Sequence, residues 1–90
     1  MLLEKVASQL NVQPEKLERE SLKIYLERQL RMVESELFNL AQRYGVQSVF
    51  ELDEKIQQGT FHEAEAFEDY FRFDYLESQR CKLAEILATL

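Results

Sequence analysis

Only a handful of side chains in this sequence could carry out chemistry, and their spacing does not favour catalysis. The chain has one histidine, His62, and one cysteine, Cys81. A Ser-His-Asp or Cys-His arrangement would have to use His62, which we expect to be exposed to solvent at a helix start. One thiol alone also cannot build a disulfide framework or a cysteine-rich metal site. We therefore predict that the protein is not an enzyme and binds no cofactor.

The carboxylates that follow His62 are the remaining candidates for metal chemistry. Di-iron sites in helical bundles use a glutamate three residues before a histidine, and no glutamate precedes His62 at that distance. No EF-hand loop pattern occurs, and the two glycines stand too far apart for a phosphate-binding loop. We interpret the cluster as a solvated acidic face and predict no metal there. Its members are Glu63, Glu65, Glu68, Asp69 and Asp74.

The composition favours a few long helices. Hydrophobic residues make up 46% of the 90 residues and charged residues 31%, which is typical of a globular or coiled-coil protein and not of a disordered chain. Two glycines and one proline are too few for the turns of a sheet. The sequence therefore predicts an all-α protein with a single helical domain over residues 1–90.

The charge is unevenly distributed along the chain. The net charge is −6; residues 1–45 contain seven basic and seven acidic side chains, whereas residues 46–90 contain four basic and ten acidic ones. Such a surface repels phosphate backbones and attracts basic proteins. Acidic side chains also simply keep small helical proteins soluble, so the charge alone does not define a partner.

Apolar spacing and capping residues divide the chain into four helical segments. Pro14 suits the first turn of a helix, and Gly45 and Gly59 suit helix ends, with Tyr44-Gly45-Val46 matching a Schellman motif. Ser48-x-x-Glu51 and Thr60-x-x-Glu63 match the capping-box pattern. The predicted segments are a short N-terminal helix and turn (1–13), a long helix (14–44), a short connecting helix (48–58) and a second long helix (61–89).

The first long segment contains a coiled-coil seam. Its apolar residues alternate between four and three residues apart, as in a heptad repeat. Neighbouring apolar residues such as Leu22 and Tyr25 widen this seam, which suits a bundle better than a two-stranded coil. We expect the two long helices to form an antiparallel hairpin along it. The seam residues are Leu26, Leu30, Val33, Leu37, Leu40 and Tyr44.

The second long segment is apolar on more than one side. Beside its own leucine-rich seam, which Arg80 interrupts, Phe67, Phe71 and Tyr75 recur every four residues as an aromatic stripe. One partner helix cannot cover both sides, so we expect a second chain, or the folded-back N-terminal helix, to cover the remainder; two hairpins would pair into a dimeric helical bundle. The predicted partner-binding or oligomer interface is Phe67, Tyr70, Phe71, Asp74, Tyr75, Leu83 and Leu87.

The location predicted from sequence is the cytoplasm. Charged residues follow Met1 almost at once, unlike a signal peptide, and no apolar stretch approaches the roughly 20 residues that span a bilayer. A helix-turn-helix-like arrangement in the first third leaves DNA binding open as a lesser alternative. Because glutamates alternate with the Lys and Arg residues there, we do not expect nucleic acid as the main partner.

Four stretches of the sequence resemble small prokaryotic helical proteins described as hypothetical, some of which are antitoxin-like partners in toxin–antitoxin pairs. The stretches are residues 20–30 (ESLKIYLERQL), 43–48 (RYGVQS), 50–59 (FELDEKIQQG) and 66–70 (AFEDY). The resemblance implies a protein that neutralises a basic partner by covering it and that has no catalytic residue.

Two functions therefore remain open from sequence. In the first, the aromatic stripe docks onto another protein; in the second, it is the core of a self-assembling homo-oligomer. The sequence also leaves open whether the N-terminal helix packs in its own chain or on a neighbour.

Overall fold

The helices of this protein begin and end at residues that favour helix boundaries. The computed structural model describes residues 1–61 and 63–90, with all their side chains except those of residues 63–65. Within this part of the chain there is no strand, which confirms the predicted all-α class. The helices are α1 (Leu2–Leu10), α2 (Pro14–Tyr44), α3 (Val49–Gln57) and α4 (Glu63–Thr89).

Gly45 ends α2 as the Schellman pattern predicts. Its φ is 63°, a left-handed conformation that glycine adopts without steric cost. The N–H of Val46 donates to the carbonyl of Ala41 at 3.0 Å, and the N–H of Gly45 donates to that of Gln42 at 3.3 Å. These two bonds satisfy carbonyls that the helix leaves free at its end.

The same motif ends α1, with asparagine in the position of the glycine. Asn11 has a φ of 56°, and the N–H of Val12 donates to the carbonyl of Ala7 at 3.0 Å. Asparagine is the residue that most often replaces glycine there. The sequence indicated a break at this point, and the asparagine itself was the signal for its geometry.

The N-terminus of α3 has a modified capping box. The Ser48 hydroxyl accepts the N–H of Glu51 at 3.3 Å, as predicted. The Glu51 carboxylate accepts the N–H of Gln47 at 2.7 Å, one residue earlier than in the standard box. Glu77 of α4 accepts the N–H of Val49 at 3.4 Å, so α4 also caps α3. The second predicted box, Thr60-x-x-Glu63, depends on a side chain outside the described residues.

Helices α2 and α4 form the predicted antiparallel hairpin. Arg43 pairs with Asp69, and Glu36 pairs with Arg72, so residue numbers rise along α4 as they fall along α2. Helix α3 packs against α4, and α1 packs against α2 of its own chain. The molecule measures 60 × 20 × 18 Å, which is long and thin.

The hydrophobic core lies at the end of the hairpin that carries α3. We call this region, residues 40–76, the closed end. Phe50 of α3 is apolar but 79% exposed, because its side of this short helix faces away from α4. The buried residues of the core are Leu40, Tyr44, Val46, Val49, Leu52, Ile56, Ala66, Phe73 and Leu76.

The rest of the hairpin has no such core. We call residues 14–39 of α2 and 77–90 of α4 the open end; all of these are described, and none is buried. The predicted seam continues through it with Leu26, Leu30, Val33 and Leu37, which are half-buried. Two helices alone cover each other on one side only, so the seam is shielded here without being enclosed.

Candidate protein-binding surface

The aromatic stripe lies on the outer face of α4. Phe67, Phe71 and Tyr75 are four residues apart, which places them in a row on one side of a helix. They are 42%, 66% and 54% exposed. Within this single chain the stripe is therefore a surface, and the core of α4 is formed by Phe73 and Leu76 on another side.

The other predicted interface residues divide between that surface and the inside of the hairpin. Asp74 is exposed on α4, close in sequence to the stripe. Tyr70 is half-buried against the core, and its ring meets that of Phe71 edge to face at 5.5 Å. Leu83 and Leu87 are half-buried in the seam of the open end. Phe67, Phe71, Asp74 and Tyr75 are thus all exposed on α4. Tyr70 lies between them and the core, where it contacts Phe71.

The stripe is flanked by negative charge. Asp69 is already bound, since Arg43 donates to it at 3.0 Å and the Tyr44 hydroxyl also donates to it. The side chains of Glu68 and Asp74 are exposed beside the aromatic rings. The Arg72 guanidinium, which pairs with Glu36, lies 5.7 Å from the centroid of the Tyr75 ring. The surroundings of the stripe therefore combine apolar rings with exposed carboxylates and one paired cation.

Tyr44 links the end of the seam to the start of α4. Burial, assisted by the hydrogen bond to Asp69, raises the pKa of Tyr44 to about 12. The Tyr44 ring also packs edge to face on Phe61, with the centroids 4.9 Å apart. The Lys55 ammonium donates to the carbonyls of Tyr44 and Gly45 at 3.2 Å each, where a cation is favoured by the helix dipole.

A second apolar surface, which the sequence reasoning did not identify, lies between α2 and α4. Tyr25 and Met32 of α2 and Tyr75 and Leu83 of α4 line an open groove along one face of the hairpin. Tyr75 is where this groove meets the stripe. The sequence signal was the seven-residue spacing of Tyr25 and Met32, which places them on one flank of the seam.

The candidate groups for catalysis and metal binding are only partly described by the structure. Cys81 is exposed on α4, and His62 and the side chains of Glu63 and Glu65 lie outside the described residues. Among the residues that are described, no three His, Cys, Asp or Glu side chains are arranged to hold a metal ion. None of the helices in the described part of the chain is both long and apolar enough to cross a membrane.

The helix-turn-helix-like region consists of α1, the turn at Asn11 and the start of α2. Lys23, one of its basic residues, lies 4.0 Å from Glu27 in an i, i+4 pair. Such pairs stabilise an exposed helix modestly. The carboxylate beside Lys23 also offsets the positive charge that would attract a nucleic-acid phosphate.

Fold and surface together define an all-α helical hairpin with an exposed aromatic face. The chain belongs to the uncharacterized protein MJ0235 family, whose model matches residues 1–90. No curated protein and no solved structure shows significant similarity to it.

Proposed function

We propose that the protein is a non-catalytic binding protein that docks onto another protein through the aromatic stripe of α4. The observation that carries this proposal is the exposure of Phe67, Phe71 and Tyr75 on one helix face. Aromatic side chains have the most free energy to gain from leaving water, and contiguous exposed apolar patches on small proteins mark interaction sites. Helices α2 and α3 pack on other sides of α4 and leave this face accessible.

The partner that fits this surface is basic. Glu68 and Asp74 stand exposed beside the rings, and residues 46–90 carry ten acidic against four basic side chains. Opposite charge around an apolar contact steers the approach of a partner and sets its orientation. The aromatic rings would supply most of the binding free energy once they are desolvated.

In its finer form, the proposal is an antitoxin-like regulator in the cytoplasm that inactivates a basic toxin by covering it. The support for this form is the resemblance of residues 20–30, 43–48, 50–59 and 66–70 to small prokaryotic proteins of that kind. Inhibition by coverage needs no catalytic group in the inhibitor.

The experiment is a pull-down of the tagged full chain from cells of its source organism, with mass spectrometry of the bound proteins. It compares wild type with Phe71→Asp and with Phe50→Asp. Both phenylalanines are largely exposed on helices of the closed end, so neither substitution should change the helical circular dichroism. Only Phe71 belongs to the stripe, which makes Phe50→Asp the matched control.

The expected result is one stoichiometric basic partner that wild type and Phe50→Asp retain and Phe71→Asp loses. Addition of the purified partner should then reproduce this pattern with isolated components. If Phe71→Asp retains the partner as wild type does, the stripe is not the docking surface. If each form recovers only copies of itself, the protein has no second protein as partner.

A further inference from the structure

The chain leaves more surface in water than a folded protein of this size usually does. The accessible surface is 7091 Å² for a mass of 10.7 kDa, whereas a folded monomer of this mass exposes about 5,500 Å². The radius of gyration is 18.9 Å, against about 12 Å for a compact domain of this length. The chain therefore exposes about 1,600 Å² beyond the usual value for its mass.

That excess has the size of a permanent interface between two copies. If each of two chains lost about 1,600 Å², the interface would cover about 3,200 Å² in total, within the range of roughly 2,000–5,000 Å² for obligate homodimers. The open end supplies the place, because none of its residues, all of them described, is buried.

Four exposed apolar residues lie along one flank of the hairpin, three in the open end and Tyr75 just inside the closed end. Tyr25 and Met32 are seven residues apart on α2, and Tyr75 and Ile86 are eleven apart on α4; both spacings return to nearly the same side of a helix. All four are more than a third exposed. A hairpin that works alone needs one apolar stripe per helix, whereas a four-helix bundle needs the wider face seen here.

The neutral charge of the groove favours a second copy of the chain, and not a basic protein, as the partner that binds there. Its polar lining consists of Gln29, Gln79 and the ion pair between Glu36 and Arg72, whose atoms are 2.6 Å apart. The groove is thus neutral within a chain of net charge −6. A twofold axis brings identical patches together, so a charged patch would repel itself and a neutral one would not. The stripe beside Glu68 and Asp74 lacks this property.

We infer that two copies of the chain pair through this groove into an antiparallel four-helix bundle. A twofold axis parallel to the helices sets α2 of each copy beside α4 of the other, so each helix runs antiparallel to both neighbours. Met32 and Tyr25 become core residues in the pair. The groove shares Tyr75 with the aromatic stripe, but Phe67 and Phe71 do not line it and stay accessible at the closed end.

The test measures the mass of the full chain by sedimentation equilibrium across protein concentrations, together with its thermal midpoint. Wild type is expected at twice the 10.7 kDa chain mass, with a midpoint that rises with concentration, because association stabilises the folded state by mass action. Met32→Glu should raise the dissociation constant at least about a hundredfold, since it buries an unpaired charge in the pair. The control is Ile24→Glu, an exposed apolar position of α2 that does not line the groove.

Each outcome decides the matter. A monomeric wild type with a concentration-independent midpoint overturns the inference, as does a Met32→Glu protein that dimerises as tightly as wild type. If Met32→Glu fails to fold while Ile24→Glu forms a folded dimer, the inference stands, because Met32 is 54% exposed in the single chain and a charge there harms folding only if the groove is covered. If Phe71→Asp loses the basic partner but still dimerises, the stripe and the groove are separate binding surfaces.

Discussion

The closed and open ends of the hairpin use the same two helices and the same heptad spacing, yet only the closed end has a core. Leu76 is 2% exposed, whereas Leu83, seven residues later on the same side of α4, is only half-buried. The difference is α3, which packs against α4 at the closed end alone. Two helices shield a seam from one direction, and a third element encloses it. The comparison shows that a heptad pattern marks which side is apolar without showing how completely it is buried.

The largest expected effect comes from shortening the same side chain at both ends. In dilute protein, where the chain is a single copy, Leu76→Ala should lower the free energy of unfolding by about 2–5 kcal/mol, since it leaves a cavity in an enclosed site. Leu83→Ala should cost less than half as much, because solvent already reaches its site. Chemical denaturation of the two variants measures both values. If the two variants lose the same free energy of unfolding as monomers, the proposed difference between the two ends is wrong. If the difference between their losses becomes smaller at high protein concentration, the comparison gains support.

A smaller effect is expected at the two left-handed helix ends. Gly45→Ala should lower the free energy of unfolding by about 1–2 kcal/mol, because a Cβ is unfavourable at a φ of 63°. Asn11→Ala should cost less, since Asn11 already carries a Cβ, and the loss should be confined to α1. Hydrogen exchange should show faster exchange throughout α2, α3 and α4 in the first variant and only in α1 in the second.

Asn11→Gly serves as the control for that pair. It removes the Cβ from a left-handed residue and should leave stability unchanged or slightly raised. Exchange that accelerates equally over the whole chain in Asn11→Ala would show that α1 is part of the same cooperative unit as the closed end.

The last expected effect is confined to high pH and concerns the stability of the closed end. The pKa of Tyr44 is raised to about 12 from its ordinary value of about 10, so folding favours the protonated phenol. This contribution is fully present below pH 10 and is lost as the pH rises from 10 through 12. Tyr44→Phe should be less stable than wild type at pH 9, and the difference in thermal midpoint should shrink towards pH 12. A constant difference over that range would contradict the assignment.

The helix boundaries were predictable because their causes are local. Gly45, Ser48 and Pro14 act on backbone groups within about five residues. Each lies at the helix boundary that was predicted from the sequence. Asn11 acts in the same way, although its left-handed role was not recognised in advance. The seam and the antiparallel hairpin followed from spacing, since α2 and α4 carry one apolar side each that must meet.

The candidate surface was only partly predictable. The stripe of Phe67, Phe71 and Tyr75 follows from a four-residue repeat, but the same repeat is consistent with a core or with a surface. Tyr70 belongs to the core side because it packs against the buried cluster, and Phe50 lies outside because its side of α3 faces away from α4. The groove of Tyr25 and Met32 exists only through the pairing of α2 with α4.

The amino-acid sequence by itself therefore determined the four helices, their ends and their apolar sides, since these depend on hydrogen bonds and side-chain spacing within a few residues. Only the tertiary structure decided which apolar residues are enclosed and which face water. That choice depends on where α3 lies against α4, a contact between residues distant in sequence. The extent of the core follows from this contact, whereas the neutral groove follows from the pairing of α2 with α4.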